Sequence, residues 1–220
     1  MILGVLLSGC TLLHCLHAYS PQGMDLLAVC SMWLSIAVHA PFSVGYHQLH
    51  PISADVMTRW RALDILFIYV ASCFLTFALS HFALPPALTL VCTGLCVWLT
   101  ARAARSAGGL ATGEAGDKLA NIKFVGMAVA LYYTPIAVVG VQDLAGGRLT
   151  VAVACAGLVP LCLLAGGVVY ALHIPNRWAP GLFDYIGASQ QWMHLCIIAA
   201  HLVEWRFVLH QLQQRLSVTS

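Results

Sequence analysis

The 220-residue sequence predicts an all-α fold, a single domain of seven membrane-spanning helices over residues 1–220. Three observations lead there. Hydrophobic residues make up 60% of the chain and charged residues only 8%, against roughly a quarter charged in an ordinary soluble domain, and the mean hydropathy is +0.86. The apolar stretches are continuous rather than alternating, and about 20 such residues let a helix cross the hydrocarbon core with every backbone group satisfied internally. The connections are short and leave no room for a soluble domain beside the bundle.

The spans fall at about 2–20, 25–47, 61–81, 84–104, 122–142, 149–172 and 188–210. The first opens with MILGVLLSGC, which has no basic n-region and too short an apolar run before Cys10 for a lipid-modified leader, so it reads as a membrane helix. A chain that starts inside a span also leaves open a truncated gene product. The second span carries HAPFSVGYH, which puts His39, Ser43 and His47 at successive i, i+4 positions on one helical face. Its Pro41 frees nearby backbone carbonyls, to which His39 and His201 are expected to hydrogen-bond across the bundle. The third span begins RWRALDILF, with Asp64 about one turn inside the boundary. Between the fourth and fifth lies RAARSAGGLATGEAGDKLAN, a Gly/Ala-rich polar loop with no core of its own. The seventh starts within DYIGASQQWMHLCIIAAH, where Ser189, Gln190, Gln191 and His194 crowd the first turns. Glu204 is expected to reach the outer interface, and Trp60, Trp178, Trp192 and Trp205 to act as aromatic anchors.

Charge orients the bundle. Arg59, Arg61, Arg102, Arg105, Lys118, Lys123 and Arg177 lie in or beside the three loops on one side, whereas Arg148, Arg206 and Arg215 lie on the other. The positive-inside rule therefore places the amino terminus inside and the carboxyl terminus outside. The net charge of +2 is a topology signal and gives no footprint for nucleic acid. All nine cysteines fall in apolar spans without a CxxC pair, so neither disulfides nor a cysteine metal site are expected.

Ionisable groups inside a membrane are costly and mark functional sites when several share one depth. Ser43, His47, Asp64, Gln190 and His194 come from three spans and meet this condition at the inner end. Each has a plainer alternative: Ser43 bonding a carbonyl of its own helix, Asp64 pairing with Arg59 or Arg61, Gln190 and Gln191 capping a helix, a histidine lying at the interface. Their shared depth favours a polar site. Two or three histidines with an acid suit zinc, since imidazoles donate nitrogen and a carboxylate orients or deprotonates a bound water. His39 and His201, farther from the inner face, would alternatively suit a haem between two spans.

SVGYH, then Asp64 in RALDI, then IPNRWAPGLFDYIGASQQWMH resemble the progestin and adipoQ receptor family, which includes the adiponectin receptors and hemolysin III-like proteins. The resemblance covers nearly the whole chain and is most specific from Pro175 through Gly187. It implies a zinc ion near the cytoplasmic face, held by the counterparts of His47 and His194 and a further histidine, with Ser43 and Asp64 in catalytic places. It also implies a link to ceramide or another lipid amide, because the wider superfamily includes alkaline ceramidases, and it implies receptor function with an extracellular ligand. One position departs: Gln190 stands where the family has a histidine. An amide oxygen is a weaker zinc donor than imidazole, so three outcomes stand open: a catalytic zinc, a weakened or structural zinc, or no metal. His50 and His173 are alternative ligands. The expected function is accordingly a zinc-dependent lipid amidohydrolase or an inactive receptor or scaffold that keeps the fold.

Overall fold

The computed structural model describes residues 1–49, 51–105, 115–179, 181–183 and 186–219. Seven helices follow in chain order: α1 (Ile2–Tyr19), α2 (Gly23–Leu49), α3 (Ala54–Ala83), α4 (Pro86–Arg105), α5 (Ala115–Ala145), α6 (Val151–Ala171) and α7 (Ser189–Thr219). Seven helices are long and apolar enough to cross a membrane, and no strand occurs among the described residues. The chain is an integral, multi-pass membrane protein.

Several helices overrun the expected spans, α3 at its start and α7 at its end. Apolarity marks only the stretch inside hydrocarbon, whereas intrahelical hydrogen bonding carries the backbone on into the headgroup region. At α3 the start is set by Ser53, whose Oγ accepts from the Val56 N–H at 3.2 Å. At α7 the 31 residues span about 46 Å at 1.5 Å per residue, well beyond the roughly 30 Å core. The ends that stop are equally legible. Ser20 closes α1 in the left-handed region with φ 45°, and α4 starts on a proline, which needs no N–H there.

Each helix packs on its neighbour in sequence, and α7 closes the bundle against α1, α2 and α3. α3 sits centrally, touching α2, α4, α5 and α7. Dense packing occupies the half of the bundle away from the basic loops, where Met32, Leu79, Phe207, Val208 and Leu212 are fully buried. That half is also latched. His81 Nε2 lies 2.6 Å from Asp25 Oδ1, Arg215 reaches the same oxygen at 3.0 Å and also bonds the His81 carbonyl, and the guanidinium lies 5.1 Å from the Phe82 ring centroid.

Between α5 and α6 the contact uses small residues, as expected where lipid removes the hydrophobic drive and van der Waals packing dominates. A Cβ on Gly140 would fall 2.7 Å from the Ala156 Cβ and 3.2 Å from the Ala152 carbonyl oxygen. Pro160 inside α6 leaves the Ala156 carbonyl without its helical donor, and the Tyr133 hydroxyl on α5 supplies one at 2.6 Å. The carbonyl freed by Pro160 is thus satisfied across helices; His39 and His201 bond side chains instead.

Gly140→Val should lower stability by about 1–3 kcal/mol, read as a lower melting temperature of the detergent-solubilised protein. Tyr133→Phe should lose about 1 kcal/mol.

Candidate functional site

The site is assembled from the basic end of α2, the early turns of α3 and the first half of α7. A turn before α7 sets its register. Asn176 Oδ1 accepts the Ser189 N–H at 2.7 Å, while its amide nitrogen donates to the Phe183 carbonyl at 3.3 Å. Gln191 Oε1 accepts the Gly187 N–H at 2.7 Å, so Gln191 does cap the entry to the helix. Pro180, Asp184 and Tyr185 of this stretch, like His50, lie outside the described residues.

From that start, Gln190, His194, Ile197, His201 and Glu204 are spaced alternately four and three residues apart, which makes one stripe along α7. All five line a cavity of about 380 Å³. Ser43, His47 and Asp64 line the same cavity, so these three, Gln190 and His194 border one space. A second cavity of about 520 Å³ opens at the basic end between Tyr170, His173, Arg177 and Ser189. Tyr170 and Gln190 border both.

His47 and His194 converge at the mouth. Their Nε2 atoms are 3.4 Å apart, with the ring planes at 82°. Two nitrogens on one tetrahedral zinc at about 2.0–2.1 Å would be separated by roughly 3.4 Å, so this spacing suits a shared cation. The rest of the donor set does not complete one. Among the described residues no three His, Cys, Asp or Glu side chains cluster to hold a metal, and a secure zinc centre needs at least three protein ligands. The buried His194 Nδ1 also lacks a hydrogen-bond partner, whereas the second nitrogen of a liganding imidazole ordinarily donates to an oxygen.

Asp64 pairs with neither Arg59 nor Arg61. Its Oδ1 lies 3.0 Å from His39 Nε2, two turns along α2 from His47. Ser43 is only 1% exposed, and its hydroxyl has no partner; the expected bond to a carbonyl of its own helix is absent, although Ser31 and Ser72 each make one. His173 is exposed on the connection after α6 and borders the second cavity with Gln190.

Deeper in the bundle the structure corrects two expectations. Glu204 does not reach an interface: it is 2% exposed and its Oε2 lies 3.4 Å from His201 Nδ1. Trp205 is no interfacial anchor either, being 1% exposed with its indole N–H donating to Ser8 Oγ at 2.7 Å. Trp60 is half-buried and lies against Gly45, while Trp178 and Trp192 are exposed. His201 Nε2 lies 3.1 Å from the same Ser8 oxygen. With both of its ring nitrogens engaged and His39 paired to Asp64, these histidines are committed to protein partners rather than to a haem. The signal for Glu204 was present in the sequence as a carboxylate inside an apolar run. Ending the span near residue 210 misplaced it, because α7 continues to Thr219 and puts Glu204 at its middle.

A seven-helix membrane bundle with a polar-mouthed cavity on α2, α3 and α7 defines the class. A profile of the family described as "Haemolysin-III related" matches residues 1–205. The chain belongs to that family, consistent with the progestin and adipoQ receptor grouping. It is 41% identical over 54 residues to human membrane progestin receptor delta, a stretch that is 24% of this chain and 16% of that protein. Over 48 residues it is 44% identical to the Drosophila melanogaster adiponectin receptor protein, covering 22% of this chain and 11% of that one. With heptahelical transmembrane protein 5 of Arabidopsis thaliana the identity is 49% over 41 residues, or 19% and 11% of the two chains. The matched stretches thus span only a small part of these relatives.

Ser8→Ala should leave the Trp205 indole N–H unpaired and lower stability by about 1–3 kcal/mol, visible in thermal unfolding. Combining it with Trp205→Phe should add less than the sum of the two, because they remove one interaction.

Proposed function

We propose that this protein is a lipid-binding, receptor-like member of its family in which the cavity takes one hydrocarbon chain of a membrane amphiphile. The cavity carries this reading. Its walls are mainly apolar, with Ile36, Ile68, Leu75 and Val129 among them, while His47, His194, Gln190 and Tyr46 stand at its mouth. A volume of about 380 Å³ falls in the lower part of the range for small-molecule sites, which pair apolar walls with a few placed polar groups. The two nearby hydroxyl and imidazole atoms without partners, Ser43 Oγ and His194 Nδ1, are groups a bound head could satisfy. Membrane lipids, among them ceramide or another lipid amide, are the partner class. The receptor names of the relatives extend the proposal to an extracellular ligand.

Gln190 argues that metal-dependent amide hydrolysis is attenuated here, because an amide oxygen replaces an imidazole in the ligand frame. A second reading, residual zinc-dependent hydrolysis of a lipid amide, is favoured by the 3.4 Å separation of the two imidazoles. In that reading His47 and His194 would hold zinc, with Gln190 as a weak third donor. The metal would supply Lewis-acid chemistry, Asp64 would take a proton, and Ser43 would donate to the substrate carbonyl.

Ala71→Trp places an indole in the cavity and should weaken binding of radiolabelled dodecanoic acid, measured by equilibrium dialysis against protein in lipid nanodiscs, by tenfold or more. Unchanged binding, or no binding by the native protein, overturns the lipid-binding reading. Metal analysis of protein purified without chelator should find well under one zinc per chain, rising toward one in Gln190→His. One zinc per native chain together with ceramide turnover would instead establish the hydrolase.

A further inference from the structure

The deep end of the cavity is not a plain hydrocarbon slot. Glu204 sits at the middle of α7, buried to 2% exposure yet lining the cavity beside His201. Ten residues separate it from His194 along one stripe of α7, or about 15 Å at 1.5 Å per residue. A carboxyl at this depth is a group that membrane proteins retain only with a partner or a task. His201 provides one partner for one oxygen, at 3.4 Å. That imidazole is itself positioned by Ser8, whose hydroxyl accepts from Trp205. An indole N–H can only donate, so the Ser8 proton is free to go to His201 Nε2. The imidazole N–H then lies at Nδ1, 3.4 Å from Glu204 Oε2. The network thus holds the carboxyl in place through α1 and α7 while its remaining acceptor capacity adjoins the cavity.

A ligand ending in a methyl group would press hydrocarbon against this acceptor and leave its desolvation uncompensated. Resting on the proposal that the cavity binds a chain, we infer that the preferred ligand is polar at both ends. Its head lies at the His47–His194 mouth, and a hydrogen-bond donor at the far end of its chain meets the Glu204–His201 pair. The ligand class is an ω-functionalised long-chain amphiphile, with a hydroxyl as the simplest terminal donor. Such a hydroxyl bonds the carboxyl oxygen whichever protonation state Glu204 holds.

The test compares dodecanoic acid with ω-hydroxydodecanoic acid, which share the head and chain and differ at the buried end. With native protein in lipid nanodiscs, the hydroxylated chain should bind about tenfold tighter, the scale of one net hydrogen bond. Glu204→Leu should abolish that preference while keeping dodecanoic acid binding, which doubles as the check of folding. Should the leucine variant fail to fold, Glu204→Met, an apolar side chain of similar length, should likewise abolish the preference. Equal binding of the two acids by native protein, or a preference untouched by either substitution, overturns the inference and leaves the lipid-binding reading standing. If native protein binds neither acid, the lipid-binding reading fails and this inference falls with it.

Discussion

Hydrocarbon offers no hydrogen bonds, so the helix richest in polar side chains is positioned by whatever partners the other helices bring to it. In this bundle that helix is α7. It is held at four levels. Asn176 and the Gly187 amide fix its first turn. His194 meets His47 on α2, His201 and Trp205 meet Ser8 on α1, and Arg215 meets Asp25 and His81 on α2 and α3. Each tie removes a polar group from lipid, and together they set both the rotation and the depth of the helix. The cavity exists because the same rotation points Gln190, His194, His201 and Glu204 at the bundle interior, where α3 and α5 do not close the space.

The two halves of the bundle divide the work. Toward the end opposite the basic loops, α2, α3 and α7 pack through the fully buried Met32, Leu79, Phe207 and Leu212 and are latched by the Asp25, His81 and Arg215 cluster. Toward the basic end the same helices carry smaller or polar side chains and part around the cavity. A rigid far half lets the near half remain open without losing register. The site is therefore supported by residues that do not touch it.

Most of this was legible in the sequence for a simple reason: membrane depth converts residue number into height. Seven apolar runs supplied the helices, alternating direction supplied the common end, and i, i+4 spacing put His47 with Ser43 and His194 with Gln190. What could not be read was which polar group faces which. Asp64 had arginines five and three residues away in sequence, yet it bonds His39, because contact across α2 and α3 depends on helix rotation and not on sequence distance. The position of Glu204 was missed through helix length. Hydropathy reports where lipid ends, and α7 runs past that point, which moved the acid from an expected interface to the centre of its helix.

Two of the unpaired buried groups line the cavity. Serines elsewhere in these helices satisfy themselves: Ser31, Ser35 and Ser72 each bond a carbonyl three or four residues back. Ser43 has the same option and does not use it. Among the described residues four other buried hydroxyls also lack partners, on Tyr69, Thr76, Ser80 and Thr93, but they border neither cavity. Ser43 Oγ and His194 Nδ1 belong to residues lining one space, with Asp64 and Glu204 farther along it. A bundle selected only for stability would fill that space with aliphatic side chains, since an unsatisfied buried polar atom is worse than none. Ser43, His47, Gln190 and His194 instead keep polar atoms on its lining, and that is the feature the lipid-binding proposal rests on.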